Sequence, residues 1–507
     1  MKPNKYINPF SESSENLAKE FDSATISKDA DKIESVIEKA LSIVETEDEA
    51  SKATIFYSLG TAYGDLQRIR GTIDEDSIKK QLYYFRKSIK IIEFEELTKP
   101  EFAPYVLTRK LTLYTNYANV LDLCGRKIMA VECLKKALEL HNSFGMGLGN
   151  LGRIYQSYAE LDFDKGRQEE FHYFACQKLY TACESNDPNT HSSAKVYFKT
   201  LLDRYPQEFI DNALEEKMVF YKYSYPDPAE FSYRSWCLKE CLFLNPANDL
   251  PVLEFAFAGD TLQLPKMIVK VHDKPIFHGM FAQLKQEYIY ARHLYYETLN
   301  SDGQVHFADK ETYITSHTDY TQYCIRVEKL KTAFKTLYGM FDKIAFFIER
   351  YFDLGIKESD VNFKSIWQES AGHGKNQYMF KNILKPQKNI ALSGLYWISK
   401  DFYEKFEDLP NPEQKRMRDI RNALEHKYVK VTSSFFSTTE EWEDGLALYV
   451  SENELYDVTL ELLKILREAI ICLALCVNIE EIPKREDAKD KFILPMHLMA
   501  FEDEWKV

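Results

Sequence analysis

Glycine and proline are scarce: 18 Gly and 17 Pro among 507 residues. All-β folds need such residues at frequent turns, so their shortage favours helices. Cysteines number nine, an odd count, and none form a Cys-x-x-Cys pair. Cys237 and Cys241 are four apart, as are Cys472 and Cys476, which is the spacing of one helix face. Two thiolates fall short of the four ligands of structural zinc, and buried thiols in a reducing compartment are the reading. The N-terminal stretch MKPNKYINPFSESSENLAKEF lacks an apolar signal core. No run reaches the roughly 18 apolar residues of a membrane span. The best candidate, Leu460 to Val477, is broken by Glu461, Lys464, Arg467 and Glu468. These absences point to a cytoplasmic protein that does not engage a membrane. P-loop, dinucleotide fingerprint and HExxH are missing. His373 in GHGK has no ligand cluster around it, so neither a metal nor a cofactor is expected. A surplus of positive charge is also missing: the net charge is -14, and any nucleic-acid contact has to come from a local basic patch.

Apolar residues, by contrast, are plentiful. They make up 45% of the chain, with 33 Tyr and 33 Phe, enough for large cores in two or three domains. In the front half, small and large residues recur in register. Tyr117, Ala118 and Leu121 lie on one helix, Gly125 breaks it, and Ala130, Leu134 and Ala137 lie on the next. The pattern returns after 34 residues at Leu151, Gly152 and Tyr155. An earlier copy holds Leu59, Gly60 and Tyr63, with Phe85 and Ser88 on its second helix. Residues 28–46 read as the second helix of a still earlier unit, and 161–215 continue less regularly. Small residues let paired helices approach and large ones fill the gap. The period resembles the tetratricopeptide repeat. Stacked units of that kind form a curved surface that holds a peptide or partner protein, or else only props up the C-terminal domain.

Residues 216–272 change character, with YSYPDPAEFSY, then SWCLKECLFLNP as one short helix ending at Asn245-Pro246, then a proline-bearing stretch. A junction is expected here, between a repeat region over 1–215 and a helical bundle over 273–482, with a tail over 483–507. Phe281, Leu284, Tyr288 and Ala291 mark one bundle helix. Val327, Leu330, Phe334, Leu337, Phe341, Ile344, Ile348 and Tyr351 mark a second, with heptad-like spacing. A third covers roughly Ile390 to Phe406 and a fifth about Glu454 to Val477. The fold class expected is all-α.

The fourth helix is LPNPEQKRMRDIRNALEHKYVKV. Asn411 is placed as N-cap, Pro412 at the first helical position and Gln414 three after the cap. Met417, Ile420 and Leu424 form its apolar stripe, and Arg421, Asn422 and His426 lie off it. Asn422 and His426 share a face, whereas Arg421 and His426 diverge by about 140° on an ideal helix. A cleft between two helices, such as two copies of this one, brings them together.

Arg421-Asn422-Ala423-Leu424-Glu425-His426 matches the RxxxxH signature of HEPN domains. The stretches 233–250, 280–297, 330–352 and 417–431 resemble one branch, the LA2681-like family, so that the resemblance covers about 230–480. It implies a helical bundle, metal-independent ribonuclease activity, a homodimer, and roles in phage defence, abortive infection or toxin systems. Arg167 and His172 also fit R-x4-H, and that copy is read as chance.

The chemistry suits these residue types. A ribose 2′-hydroxyl attacks the adjacent phosphate, which calls for a proton acceptor and a proton donor. Histidine titrates near neutrality. A guanidinium pairs two phosphate oxygens and stays charged. Arg421, Asn422 and His426 are therefore the expected catalytic residues: His426 moves protons, Arg421 stabilises the phosphate, and Asn422 orients one of them. The expected products are a 2′,3′-cyclic phosphate and a 5′-hydroxyl. Residues 371–400 carry Lys375, Lys381, Lys385, Lys388 and Lys400 and no acid, with Tyr378, Phe380, Tyr396 and Trp397 interleaved. Lys415, Arg416, Arg418, Lys427 and Lys430 flank the motif. Lys381, Lys385, Lys388, Arg418 and Lys427 are the expected RNA contacts. Asp342, Lys343 and Arg292 interrupt apolar helices, either as support for the site or as ordinary surface or paired charges. The competing function is a non-catalytic scaffold whose bundle dimerises.

Overall fold

In the computed structural model, short polar side chains open the first helices. The structure describes residues 6–215, 218–268, 274–300, 304–315, 320–370, 376–378, 388–403, 412–433, 446–487 and 502–506. Two compact units emerge among them. One holds residues up to Glu160 with Gln168–Met218, and the other holds Leu161–Arg167, Val219–Glu404 and Pro412–Val507.

The first unit is made of successive helices, apart from the last residue of α7 and the first three of α8: α1 Glu12–Ile26, α2 Ala30–Ile43, α3 Glu49–Arg70, α4 Glu75–Ile92, α5 Ala103–Leu123, α6 Lys127–Leu140, α7 Gly145–Leu161, α8 Lys165–Glu184, α9 Ser192–Leu202 and α10 Gln207–Glu215. Ser11, Asp29, Asp48 and Asp74 sit in extended backbone just before α1 to α4. Each accepts a hydrogen bond from the N–H three residues on, a cap worth about 1 kcal/mol. Gly71, at φ 66°, closes α3 in the left-handed region. Helix pairs pack through small residues. A Cβ at Gly60 would lie 2.8 Å from the Phe85 ring, and one at Gly152 would lie 3.0 Å from the Ala175 carbonyl oxygen. Ala118 and Ala130 are wholly buried.

The second unit opens with α11, Pro228–Lys239, capped by Asp227, which accepts from the N–H groups of Ala229 and Glu230. This corrects the expected short helix: it starts earlier and stops at Lys239 rather than at Asn245-Pro246. Cys241 has φ 55°, so Cys237 and Cys241 do not share a helix face. The five bundle helices come next, as α12 Ile276–Leu299, α13 Ile325–Phe352, α14 Ile390–Tyr403, α15 Pro412–His426 and α16 Glu452–Asp487. The heptad-spaced residues of α13 from Val327 to Ile348 are all buried. At its far end α16 outruns the expected Val477 and carries Pro483. Its Cys472 and Cys476 are buried thiols, and all nine cysteines are free.

Two buried guanidiniums fasten the stretch that reads as a junction into this unit. Arg292 of α12 donates to both Asp260 oxygens at 2.9 and 2.7 Å, to the Leu242 carbonyl and to the Tyr233 hydroxyl. Arg467 of α16 donates to both Asp249 oxygens at 3.0 and 2.9 Å and to the carbonyls of Phe243 and Asn245. Both arginines are 1% exposed, so each charge needs its partner. Burial pulls the Arg292 pKa down, but the Asp260 carboxylate outweighs it and holds it well above the ordinary value.

The expected class is all-α, whereas the described residues include two small strand pairs. β1, Gln368–Ser370, runs antiparallel to β2, Asn376–Tyr378. β3, Tyr428–Thr432, runs parallel to β4, Ala447–Ser451. The fourth helix therefore stops at His426, and Tyr-Val-Lys-Val becomes a strand because its β-branched and aromatic residues fit a pleated ribbon. With this little sheet, the class remains all-α. Among the described residues no helix is long and apolar enough to cross a membrane.

Candidate active site on α15

Helix α15 turns Met417, Ile420 and Ala423 inward, at 5% exposure or less. Its opposite side is polar. Asn422 and His426 are exposed, and Arg421 is half-buried. The cap expected at Asn411 lies outside the described residues.

Arg421 is held from two directions. Its guanidinium sits over the Tyr338 ring of α13, 5.7 Å from the centroid, and its Nη1 donates to Asn422 Oδ1 at 3.2 Å. Burial pushes the Tyr338 hydroxyl up to about 12, with Tyr403, Arg421 and Arg418 acting in the opposite direction. One turn along α13 from Tyr338 lies Asp342. Its Oδ1 accepts from the Phe363 N–H at 2.9 Å. Burial raises its carboxyl above the ordinary value, against the pull of that hydrogen bond and of the Arg421 charge. Asp342 thus stands in the electrostatic surroundings of Arg421. Lys343 instead pairs with Glu287 on the exposed surface, and Arg292 is the internal pair described above.

Other contacts fix the helix that carries the motif. Lys335 of α13 lies 3.6 Å from Glu425. Arg416 donates to Glu454 of α16 at 2.6 Å and to the Tyr449 carbonyl of β4. The Lys427 N–H returns to the Ala423 carbonyl at 2.8 Å and closes the last turn directly behind His426. On an ideal helix Arg421 and His426 diverge by about 140° and are separated by about 7.5 Å along the axis. The structure therefore sets Arg421 against α13, and His426 at the open end of α15.

The expected RNA contacts are met by the described residues as follows. Lys388 and Lys427 are exposed. Arg418 turns toward α14 and donates to the Phe402 carbonyl at 3.3 Å. Tyr396 and Trp397 are core residues, 0% and 5% exposed, with Lys400 buried against both rings. They cannot stack bases, and an apolar helix between others explains why. Lys430 is drawn to Tyr449. Lys381 and Lys385, with Lys375 and Phe380, lie outside the described residues, as does the side chain of Tyr378. The second R-x4-H match forms no comparable site. Arg167 binds both Asp162 oxygens at 2.7 Å, and His172 Nδ1 meets the Tyr205 hydroxyl at 3.0 Å. Among the described residues no group of three or more His, Cys, Asp or Glu is placed to hold a metal ion.

Sequence reasoning overlooked Tyr338 as a seat for Arg421, because an aromatic on an apolar helix face reads as core. Set against known families, residues 268–480 match the model of the LA2681-like HEPN domain. No curated protein and no solved structure matches the chain.

Proposed function

With residues 268–480 forming an LA2681-like HEPN domain, we propose that this domain is an endoribonuclease that works without a metal, with Arg421, Asn422 and His426 as its catalytic residues. The observation that carries this reading is the segregation on α15: Met417, Ile420 and Ala423 are buried, with Leu424 of the expected stripe only partly so, while Asn422 and His426 are left on the surface. His426 takes the proton of the ribose 2′-hydroxyl and returns it to the leaving 5′-oxygen, so that the proton moves from O2′ to O5′. Arg421 offers two parallel N–H groups to the phosphate oxygens as their charge grows. Asn422 accepts from Arg421 and limits its swing. The bond formed is O2′–P and the bond broken is P–O5′, so the products are a 2′,3′-cyclic phosphate and a 5′-hydroxyl.

Because Arg421 and His426 diverge on one helix, the proposed site takes Arg421 from one protomer and His426 from the other in a homodimer. Lys388 and Lys427 hold the backbone beside it. Such an enzyme has to be restrained in its own cell, which suits phage defence, abortive infection or a toxin system. The front unit, read as tetratricopeptide-like, then receives the trigger or inhibitor, and the protein works in the cytoplasm.

The test is incubation of the full chain with total RNA in the presence of a chelator, beside His426→Ala and Arg421→Ala. Cleavage by the parent chain, reduced at least a hundredfold in either variant, is the expected result. Equal cleavage by all three refutes the assignment. Dimerisation without any cleavage, with and without partner proteins, favours the scaffold reading.

A further inference from the structure

Tyr338, Tyr428 and Tyr449 surround α15 and the strand pair that follows it, and two of the three carry a cation. Arg421 lies over the Tyr338 ring, 5.7 Å from its centroid. Lys430 lies over Tyr449 at 5.2 Å and donates to its hydroxyl at 3.1 Å. Tyr428, the first residue of β3, has neither. It is 77% exposed, and among the described residues no ring stacks on it and no group bonds its hydroxyl. A lone exposed aromatic is ordinary. What sets this one apart is its place in the strand and the charge around it.

β3 sinks into its unit toward its end, with Val431 0% and Thr432 1% exposed. The parallel register sets Tyr428 opposite Ala447 of β4, and on the other side of β3 the Gln322 N–H donates to the Val431 carbonyl at 2.8 Å. The ring therefore stands on a paired strand. It lies two residues past His426, so the two backbones are at most about 7 Å apart. From Arg421 to Lys430 the chain carries Arg421, Lys427 and Lys430 against Glu425 alone, and Lys335 of α13 already stands 3.6 Å from that carboxylate. A chain of net charge -14 thus keeps a local cationic surplus around one bare aromatic ring. That combination selects the occupant. A second copy of the chain brings the same cations to the ring. A nucleic-acid strand brings a flat base beside each phosphate, and so answers ring and cations together.

We propose that Tyr428 is a base-stacking residue: its ring takes the face of a nucleobase flanking the link on which His426 acts, while Lys427 meets the adjoining phosphate. This role rests on the ribonuclease reading and names its substrate class. Every base has a π face, so stacking of this kind tolerates any sequence. It does require that the face be open. A duplex hides its base faces in the helix, whereas a single strand can splay them out. The substrate is therefore single-stranded RNA.

The test uses the full chain and a fluorescein-labelled RNA decamer with 2′-O-methyl riboses, which lacks the nucleophile and is not cut, read by anisotropy. An abasic decamer with the same phosphates and a duplex of the decamer serve as comparisons. The parent chain binds the decamer about tenfold more tightly than the abasic strand. Tyr428→Ala removes that preference and leaves the affinities for abasic strand and duplex unchanged, whereas Tyr428→Phe retains it. A 2-aminopurine in the strand is quenched by the parent chain and by Tyr428→Phe, and stays bright with Tyr428→Ala. An undiminished preference in Tyr428→Ala overturns the proposal. So does a loss of the dimer in Tyr428→Ala, which makes the ring a contact between protomers. Cleavage of native RNA separates the two readings. If the parent chain cuts RNA and Tyr428→Ala cuts it equally fast, the ribonuclease stands and the stacking role falls. Binding that depends on Tyr428 without any cleavage upholds the stacking role and refutes the ribonuclease.

Discussion

Single side chains decide most of what this protein is proposed to do. Arg421 relies on the Tyr338 ring for its placement, and a partly desolvated cation–π contact is worth about 1–2 kcal/mol. At 1.36 kcal/mol per tenfold in rate, Tyr338→Leu is expected to slow RNA cleavage by roughly tenfold, while Tyr338→Phe keeps the ring and stays within about twofold. Comparing kcat for the two variants checks it. A second dependence concerns stability. Burial raises the Asp260 carboxyl, but Arg292 outweighs it and holds its pKa below the ordinary 3.8. A depressed carboxyl adds stability above its unfolded pKa and loses it as pH falls through the folded one. The chain is therefore expected to lose stability below about pH 4, and Asp260→Asn to flatten that part of the profile. Asp260→Ala, which strands Arg292, costs about 3–5 kcal/mol in denaturant unfolding.

At the level of elements, legibility followed periodicity. α13 was readable because its buried residues recur by three and four, and α15 because its apolar stripe and Pro412 announce it. Spacing gives the helix pairs of the front unit their small residues. Enlarging one tests that packing: Gly152→Val meets the Ala175 carbonyl and the Leu179 side chain and is expected to cost about 1–3 kcal/mol in thermal unfolding. Tertiary pairing, by contrast, leaves no periodic trace. β3 and β4 are five residues each, joined across a long connection, and neither alternates strongly enough to outweigh a preceding helix. The fastening of Leu242 to Asp260 by Arg292 and Arg467 was hidden for a related reason. A proline-bearing stretch reads as a junction until the two arginines that need its carbonyls and carboxylates are known. Tyr396 and Trp397 look the same in sequence whether they stack bases or fill a core, and burial on α14 decides for the core.

The whole molecule joins a unit of successive helices to a unit whose residues 268–480 match the LA2681-like HEPN model, under a net charge of -14. Bulk charge repels RNA, so the proposed substrate is gripped by few phosphate contacts, and cleavage should fall only gently with added salt. The central claim is that Arg421 of one protomer and His426 of another act on a single ribose-phosphate linkage. Mixing inactive Arg421→Ala and inactive His426→Ala chains, under conditions where protomers exchange, tests it most directly. Half of the composite sites in each mixed dimer then hold both native groups, so RNA cleavage returns, with 2′,3′-cyclic phosphate ends. Exchange that is complete by mass spectrometry yet restores no cleavage would contradict the account.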